Sequence, residues 1–189
     1  MNILVVLGSI REGRVGDKVA RWVMGQTKKR NPKFSYELLD LKDYPMKLFQ
    51  EEKHPAMLNG KSSDTYANKW IRKVKESDGF LLITPEYNRG TSGALKNAID
   101  YPYNEWHKKP ITFVGYGGVS GGSRAIEQLR LNAIELQTVP IREGLLISFV
   151  SRKIKGEKIE LEEYYETQLS TTLDQLEWYT EVLKNARES

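Results

Sequence analysis

The sequence predicts an α/β protein in which a mostly parallel, five-stranded sheet is sandwiched between two layers of helices. Three observations predict it. Continuous apolar runs of strand length stand at Asn2–Leu7, Gly79–Thr84 and Ile111–Tyr116, the form of strands buried on both faces. Each run enters a loop of glycine and polar residues, and each loop gives way to helical periodicity. The alternation continues along 189 residues, the length of one ordinary domain or slightly more, so residues 1–189 are read as a single domain.

In order, the opening strand ends at Gly8, and after SIREGRVGD the residues Val15, Val19, Trp22 and Val23 recur at helical spacing. That helix runs toward Lys29 and Arg30 before Asn31-Pro32 stops it. A strand at Phe34–Leu39 is followed by a long polar connection with Pro45 and Pro55. A helix around Thr65–Lys75 then carries Trp70, Ile71 and Val74 on one side. Gly79–Thr84 leads through PEYNRGTSG into a helix over about Ala94–Tyr101. Ile111–Tyr116 leads through GGVSGGS into a helix over Arg124–Leu136, whose face is Ile126, Leu129, Ala133 and Leu136. Thr138–Ile141 and Leu145–Phe149 are short strand-like runs, and SRKIKGEKIELEE reads as a polar excursion. Tyr165, Leu169, Leu173, Leu176 and Leu183 place a covering helix over roughly Glu162–Ala186. The arrangement is the flavodoxin-like doubly wound order 2-1-3-4-5, with right-handed crossovers.

Composition narrows the chemistry. With 39% hydrophobic residues and 7 prolines the chain has material for a core and lacks the bias of a disordered one. With 0 cysteines there is no disulfide framework, thiolate metal site, iron–sulfur cluster or cysteine nucleophile, so redox chemistry needs a bound cofactor. His54 and His107 form no HxxH or HxxxH pair, and no metal site is expected. The N-terminal apolar run is short for a signal peptide, and nothing approaches the roughly 18 apolar residues of a membrane span. A soluble, cytoplasmic protein is the expectation. The net charge of +4 comes from basic residues interleaved with acidic ones, as in KDYPMK, KVKESD and KGEKIELEE. That pattern is solvated surface, with no nucleic-acid or membrane partner expected.

In a doubly wound sheet the ligand sits beyond the carboxyl ends of the strands, where the three glycine-bearing loops converge. The first, GSIREGRVGDK, offers a sharp exit at Gly8, the Ser9 hydroxyl, the guanidinium forks of Arg11 and Arg14, and a helix N-terminus. That combination suits a phosphate monoester, the alternative being an exposed loop with its arginines in solvent. It is no nucleotide P-loop, since Arg14 and Val15 stand where lysine and a hydroxyl are needed. Nor is it GxGxxG, although Asp40 stands near the end of the second strand, where the dinucleotide fingerprint has its acid. In the second loop Pro85, Tyr87 and Asn88 precede Gly90 and Gly93, and the segment either holds an aromatic ring or only half-buries Tyr87. The third has Gly117, Gly118, Gly121 and Gly122, which let backbone approach a flat ligand or simply make a tight turn.

Together GSIREGRVGDKVA, TPEYNRGTSGALKNAIDY and GYGGVSGGSRAIEQLR resemble the NADPH-dependent FMN reductase family, from the first strand to about Arg130. The resemblance implies bound FMN, reduced by NADPH or NADH and reoxidised in ping-pong fashion by a small acceptor: a quinone, an azo compound, a metal oxyanion or free flavin. It implies that Ser9, Arg11 and the segment Arg14, Val15 and Gly16 bind the FMN phosphate. It implies that Pro85, Glu86, Tyr87 and Asn88 contact the isoalloxazine ring, and that Gly117, Gly118 and Ser120 border its pyrimidine end. Similar proteins often carry Ser and Asn where this chain has Arg14 and Gly16, which leaves open that one arginine faces the 2′-phosphate of NADPH. No catalytic acid or base is assigned; Tyr87, Tyr101 and Tyr116 are candidates by position alone.

Family resemblance further implies a homodimer or homotetramer with the flavin near the interface. Tyr101, Tyr103 and Trp106 either contribute to such an interface or cap a helix end locally. The long segment Leu41–Asp64 shapes the acceptor pocket. Two alternatives share the fold: a flavodoxin-type electron carrier and a non-redox nucleotide-binding regulatory domain. Against the carrier stand the net charge of +4 and the lack of a threonine-rich first loop. Lack of a bound yellow cofactor would favour the regulatory domain.

Overall fold

A computed structural model describes residues 1–189. Strands β1 (Asn2–Leu7), β2 (Ser35–Asp40), β3 (Gly79–Pro85) and β4 (Pro110–Tyr116) alternate with helices α1 (Gly16–Thr27), α2 (Thr65–Glu76), α3 (Gly93–Asp100) and α4 (Ser123–Glu135). Four short strands follow, β5 (Val139–Pro140), β6 (Leu145–Ile147), β7 (Ile154–Lys155) and β8 (Lys158–Ile159), before the long helix α5 (Glu163–Glu188). The main sheet is parallel in the order β2-β1-β3-β4-β5, the predicted winding.

Two features differ from expectation. The fifth position of the sheet holds two strands in succession: β5 pairs Pro110 and Ile111, and β6 pairs Val114 to Tyr116 farther along β4. Pro140 has no N–H to continue the ladder, and between the two pieces the Thr112 hydroxyl donates to the Glu143 carbonyl at 2.6 Å. The excursion after β6 is partly ordered as the antiparallel hairpin β7-β8, which turns through Gly156 at φ +57°.

The apolar runs fold as strands because both faces are covered. Trp70, Ile71 and Val74 of α2, Leu95 and Ala98 of α3, and Leu129 of α4 pack with Leu4, Phe80, Leu82 and Phe113 on one side. Val19 and Val23 of α1 and Leu169, Leu173 and Leu176 of α5 pack with Val5, Leu7, Ile83 and Tyr116 on the other. Each such side chain contributes about 1.5–3 kcal/mol when fully buried. Trp106 belongs to the first core, edge-on to Phe80 at 4.6 Å and to Trp70 at 5.9 Å, and Tyr101 is buried beside it. Of the two readings of the aromatic cluster, the structure takes local packing for these two residues. No helix is long and apolar enough to cross a membrane.

Candidate active site

The parallel register brings the carboxyl ends of β1, β3 and β4 level, since Leu7 pairs Ile83 and Pro85 pairs Tyr116. The three loops that follow meet there. Ser9, buried, joins the first to the second through a 2.8 Å hydrogen bond between its hydroxyl and that of Tyr87. The Ser92 hydroxyl, which caps α3 by accepting from Leu95 N–H at 3.1 Å, donates to the Gly8 carbonyl. These contacts fix the first loop against the N-terminus of α3.

Helix α1, like α4 and α5, starts without a side-chain cap. Asp64 caps α2 and Ser92 caps α3, whereas no side chain caps α1 after Val15. Its first N–H groups are therefore available to an anion, with the positive end of the helix dipole behind them. Gly16 packs closely: a Cβ there would lie 2.5 Å from the Tyr116 hydroxyl and 2.8 Å from Leu7 Cδ1, so those side-chain ends would have to shift. That hydroxyl is buried and has no hydrogen-bond partner, and burial pushes its pKa far above the ordinary phenol value. Polar capacity is thus left unused at the base of the first loop.

The two arginines of this loop have opposite environments. Arg11 is exposed, and its guanidinium makes one long hydrogen bond, 3.5 Å to the Gly13 carbonyl. Arg14 is turned inward. It pairs with Asp40 through both terminal nitrogens, one of them at 2.8 Å, donates from Nε to Asp17 at 3.2 Å, and donates to the Ser9 carbonyl. The Arg14 guanidinium, expected at the phosphate, is thus engaged within the chain by Asp40, Asp17 and the Ser9 carbonyl. These four hydrogen bonds leave it at most one free N–H, because an acid at the end of β2 takes the fork.

In the second loop Tyr87 and Gly90 exchange two backbone hydrogen bonds of 2.9 Å around Asn88 and Arg89, which have φ of +49° and +68°. This is a two-residue turn of the mirror-image kind, with Asn88 at its exposed tip and the Tyr87 ring 36% exposed. Pro85, the last residue of β3, is buried beneath it. Glu86 points toward the third loop. It accepts from the Ser120 hydroxyl at 3.0 Å, from Arg124 Nε at 2.6 Å and from the Arg124 backbone N–H at 3.2 Å. Burial would raise the Glu86 carboxyl, but these donors outweigh it and hold it below the usual range. The expected ring contacts Glu86 and Ser120 thus bond to each other and brace two loops, leaving their side chains little free capacity.

Gly117 and Gly118 present backbone. A Cβ at Gly118 would meet nothing within 4 Å, so the space beside this backbone is open. Gly122, at φ +91°, lets α4 start hard against β4, where a Cβ would lie 2.7 Å from Gly115 Cα. Tyr101, the third candidate tyrosine, is not at this site; its hydroxyl donates to the Lys47 carbonyl at 3.0 Å. Two cavities flank the loops. One of about 380 Å³ lies among Ile10, Leu41, Tyr44, Met46, Leu48 and Ala94. Another of about 560 Å³ lies beyond the third loop, beside Phe149.

Sequence reasoning missed Asp40 as the partner of Arg14, and Arg124 as the partner of Glu86. Asp40 was visible at the end of the second strand, but only the fold shows that it reaches the first loop. The fold and the three loops define a flavodoxin-like α/β protein whose sheet ends form a cradle for a planar, phosphate-bearing cofactor. The residues fit such a group: uncapped N–H donors with Arg11 at one end, exposed glycine backbone and a tyrosine ring at the other.

The chain belongs to the NADPH-dependent FMN reductase family, whose model matches residues 1–151. It is 41% identical over 124 residues to an NAD(P)H-dependent FMN reductase of Schizosaccharomyces pombe, covering 66% of this chain and 62% of that one. It thus spans less than two thirds of that relative's length. An NADPH:quinone oxidoreductase of Arabidopsis thaliana is 29% identical over 133 residues, covering 69% of this chain and 65% of its own. Among solved structures, the flavoenzyme NAD(P)H:acceptor oxidoreductase FerB from Paracoccus denitrificans has a TM-score of 0.70 at 21% identity, with 97% of each chain covered. That likeness concerns the fold.

Proposed function

We propose that this chain is an FMN-dependent NAD(P)H oxidoreductase that delivers hydride to a small acceptor of the quinone class, with residues 1–189 acting as one unit. The observation that carries the reading is the pairing of an uncapped α1 N-terminus, with Arg11 free beside it, and an open glycine backbone at the sheet's switch point. A phosphate and a planar ring are the complements of those two surfaces. The relatives' names support the same reading.

In this reading Ser9, Arg11 and the N–H groups at Val15 and Gly16 hold the phosphate. Arg14 acts one step back, fixing the loop through Asp40. Pro85, Tyr87 and Asn88 flank the ring, Gly117 and Gly118 border its polar end, and Glu86 with Ser120 holds those two walls together. Bound FMN would supply the hydride chemistry, from a nicotinamide donor to the acceptor in turn. The chain needs no acid or base of its own: Tyr87 stands at the mouth, and water has access to its exposed ring. The apolar cavity lined by Ile10, Tyr44, Met46 and Leu48 would receive the acceptor, so the segment after β2 sets the choice among acceptors.

A cytoplasmic homo-oligomer is part of the proposal. Leu131 and Ile134 project from α4 at 68% and 64% exposure, an apolar pair suited to a second copy. Small molecules are the remaining partners; the interleaved charges favour neither nucleic acid nor membrane. The test is visible absorbance of the purified protein with FMN, then anaerobic NADPH, then a quinone. Bleaching by NADPH and recovery with quinone is the expected result. Binding without bleaching would indicate an electron carrier, and no binding would overturn every flavoprotein reading.

A further inference from the structure

We propose that the cavity beside the third loop receives the adenosine 2′-phosphate end of NADPH, with Arg152 and Lys155 meeting the phosphate and Phe149 facing the base. This rests on the reductase reading. The cavity, about 560 Å³, is walled on its inner side by Ser148 and Phe149. Both belong to the backbone that borders the cofactor cradle: Phe149 N–H donates to the Gly118 carbonyl at 2.8 Å, Val150 N–H to Gly117 at 3.0 Å, and the Ser148 hydroxyl to Val119 at 3.0 Å. The cavity therefore adjoins the glycine backbone of the third loop.

Phe149 is the unusual residue. It sits at φ +50° and ψ +42°, a left-handed conformation that costs a bulky side chain on the order of 1 kcal/mol. Its ring stays 41% exposed, with the Arg152 guanidinium 4.6 Å from the ring centre. An aromatic face with a guanidinium against it, both accessible, is a recognition surface for a base bearing phosphate.

Charge selects the phosphate. Arg152 and Lys155 have no carboxylate within ion-pair distance, whereas Lys153 is already held by Glu162 at 2.8 Å. Glu160 is the remaining acid of the cavity, leaving two free cations against one free carboxylate. A phosphate dianion complements that excess, and the plain hydroxyl of NADH does not. The cavity on the other flank is mostly apolar, and its cation Lys42 is paired with Glu12 at 3.1 Å. Arg14, the other candidate for the 2′-phosphate, is closed off by Asp40.

The experiment uses FMN-loaded protein, wild type and the double variant Arg152→Ala, Lys155→Ala, with kcat/KM for NADPH and for NADH. The expected result is a wild type that prefers NADPH and a variant whose NADPH-to-NADH ratio falls by about tenfold or more. An unchanged ratio, or a wild type without preference, overturns the proposal. Should the double variant lose FMN, Lys155→Ala alone, an exposed side chain without hydrogen bonds, is judged by the same ratio. Calorimetry with adenosine 2′,5′-bisphosphate and with 5′-AMP needs no turnover. The bisphosphate is expected to bind the wild type about tenfold more tightly, and equal binding overturns the proposal. If neither nicotinamide bleaches the flavin, the reductase reading falls and the calorimetry still judges the cavity.

Discussion

Arg14 and Asp40 face each other fork to fork, and the pair closes the gap between the β1 loop and the end of β2. Arg14 also holds the Ser9 carbonyl, while the Ser9 hydroxyl meets Tyr87 at 2.8 Å. A continuous line of hydrogen bonds thus runs from the edge of the sheet, through the loop after β1, to the turn after β3.

Asp40→Asn keeps the shape and removes the charge. The Arg14 side chain is 9% exposed, so its lost partner is expected to cost about 1–3 kcal/mol. The FMN dissociation constant should rise with it. Urea unfolding and a flavin fluorescence titration measure the two effects, and unchanged values in both would show that the pair positions nothing.

Arg11→Ala should separate binding from folding. Its side chain is exposed and makes one long hydrogen bond, so stability should stay within about 0.5 kcal/mol of wild type. FMN affinity should fall about tenfold, with a shallower salt dependence. Unaltered affinity would move the phosphate elsewhere.

Tyr87→Phe removes the bond to Ser9 and leaves the ring, for a stability loss of about 1 kcal/mol or less. Tyr87→Ala removes the ring and should affect flavin affinity or turnover more than the melting temperature. A variant that unfolds yet keeps normal residual kinetics would make Tyr87 a packing residue.

Glu86→Gln should loosen the brace between the second and third loops. Because the folded carboxyl titrates below its ordinary value, the stability it contributes is complete above the usual glutamate range and is lost as pH falls through the folded value. Acid unfolding of wild type should show this loss, and the variant's curve should be flatter there.

Lys109 gives the same sign of pH dependence in the alkaline range. Burial pushes its ammonium down to about 8, although Nζ donates to the carbonyls of Val74 and Lys75 at the end of α2. Between about 8 and the unfolded value of 10.5 the folded chain holds fewer protons, so stability should rise with pH across that window. The rise should be on the order of 1 kcal/mol or more. Above it, buried Tyr36 and Tyr116, whose phenols are held well above 10, should reverse the trend. Thermal melts from pH 7 to 11 test this, and Lys109→Met should abolish the rise.

The winding was legible because β1, β3 and β4 are covered on both faces and so read as unbroken apolar runs. The loops were legible because four glycines in one turn exceed what a turn needs. What stayed hidden were pairings across sequence. Arg14 looks free beside Arg11 until β2 is laid against β1, and Glu86 looks unpaired until α4 brings Arg124 to it. The double fifth strand was hidden for a different reason: strand-like runs show that segments are extended, and only register along β4 shows that they share one place in the sheet.

That divided place also limits how copies of the chain can meet. A free sheet edge is a template on which another strand can grow, and proteins protect against it by shortening or interrupting the edge. Two pieces of two and three residues with a break between them provide no continuous ladder. On the opposite edge β2 carries Glu37 and Asp40. Both edges of the sheet therefore discourage growth by strand addition.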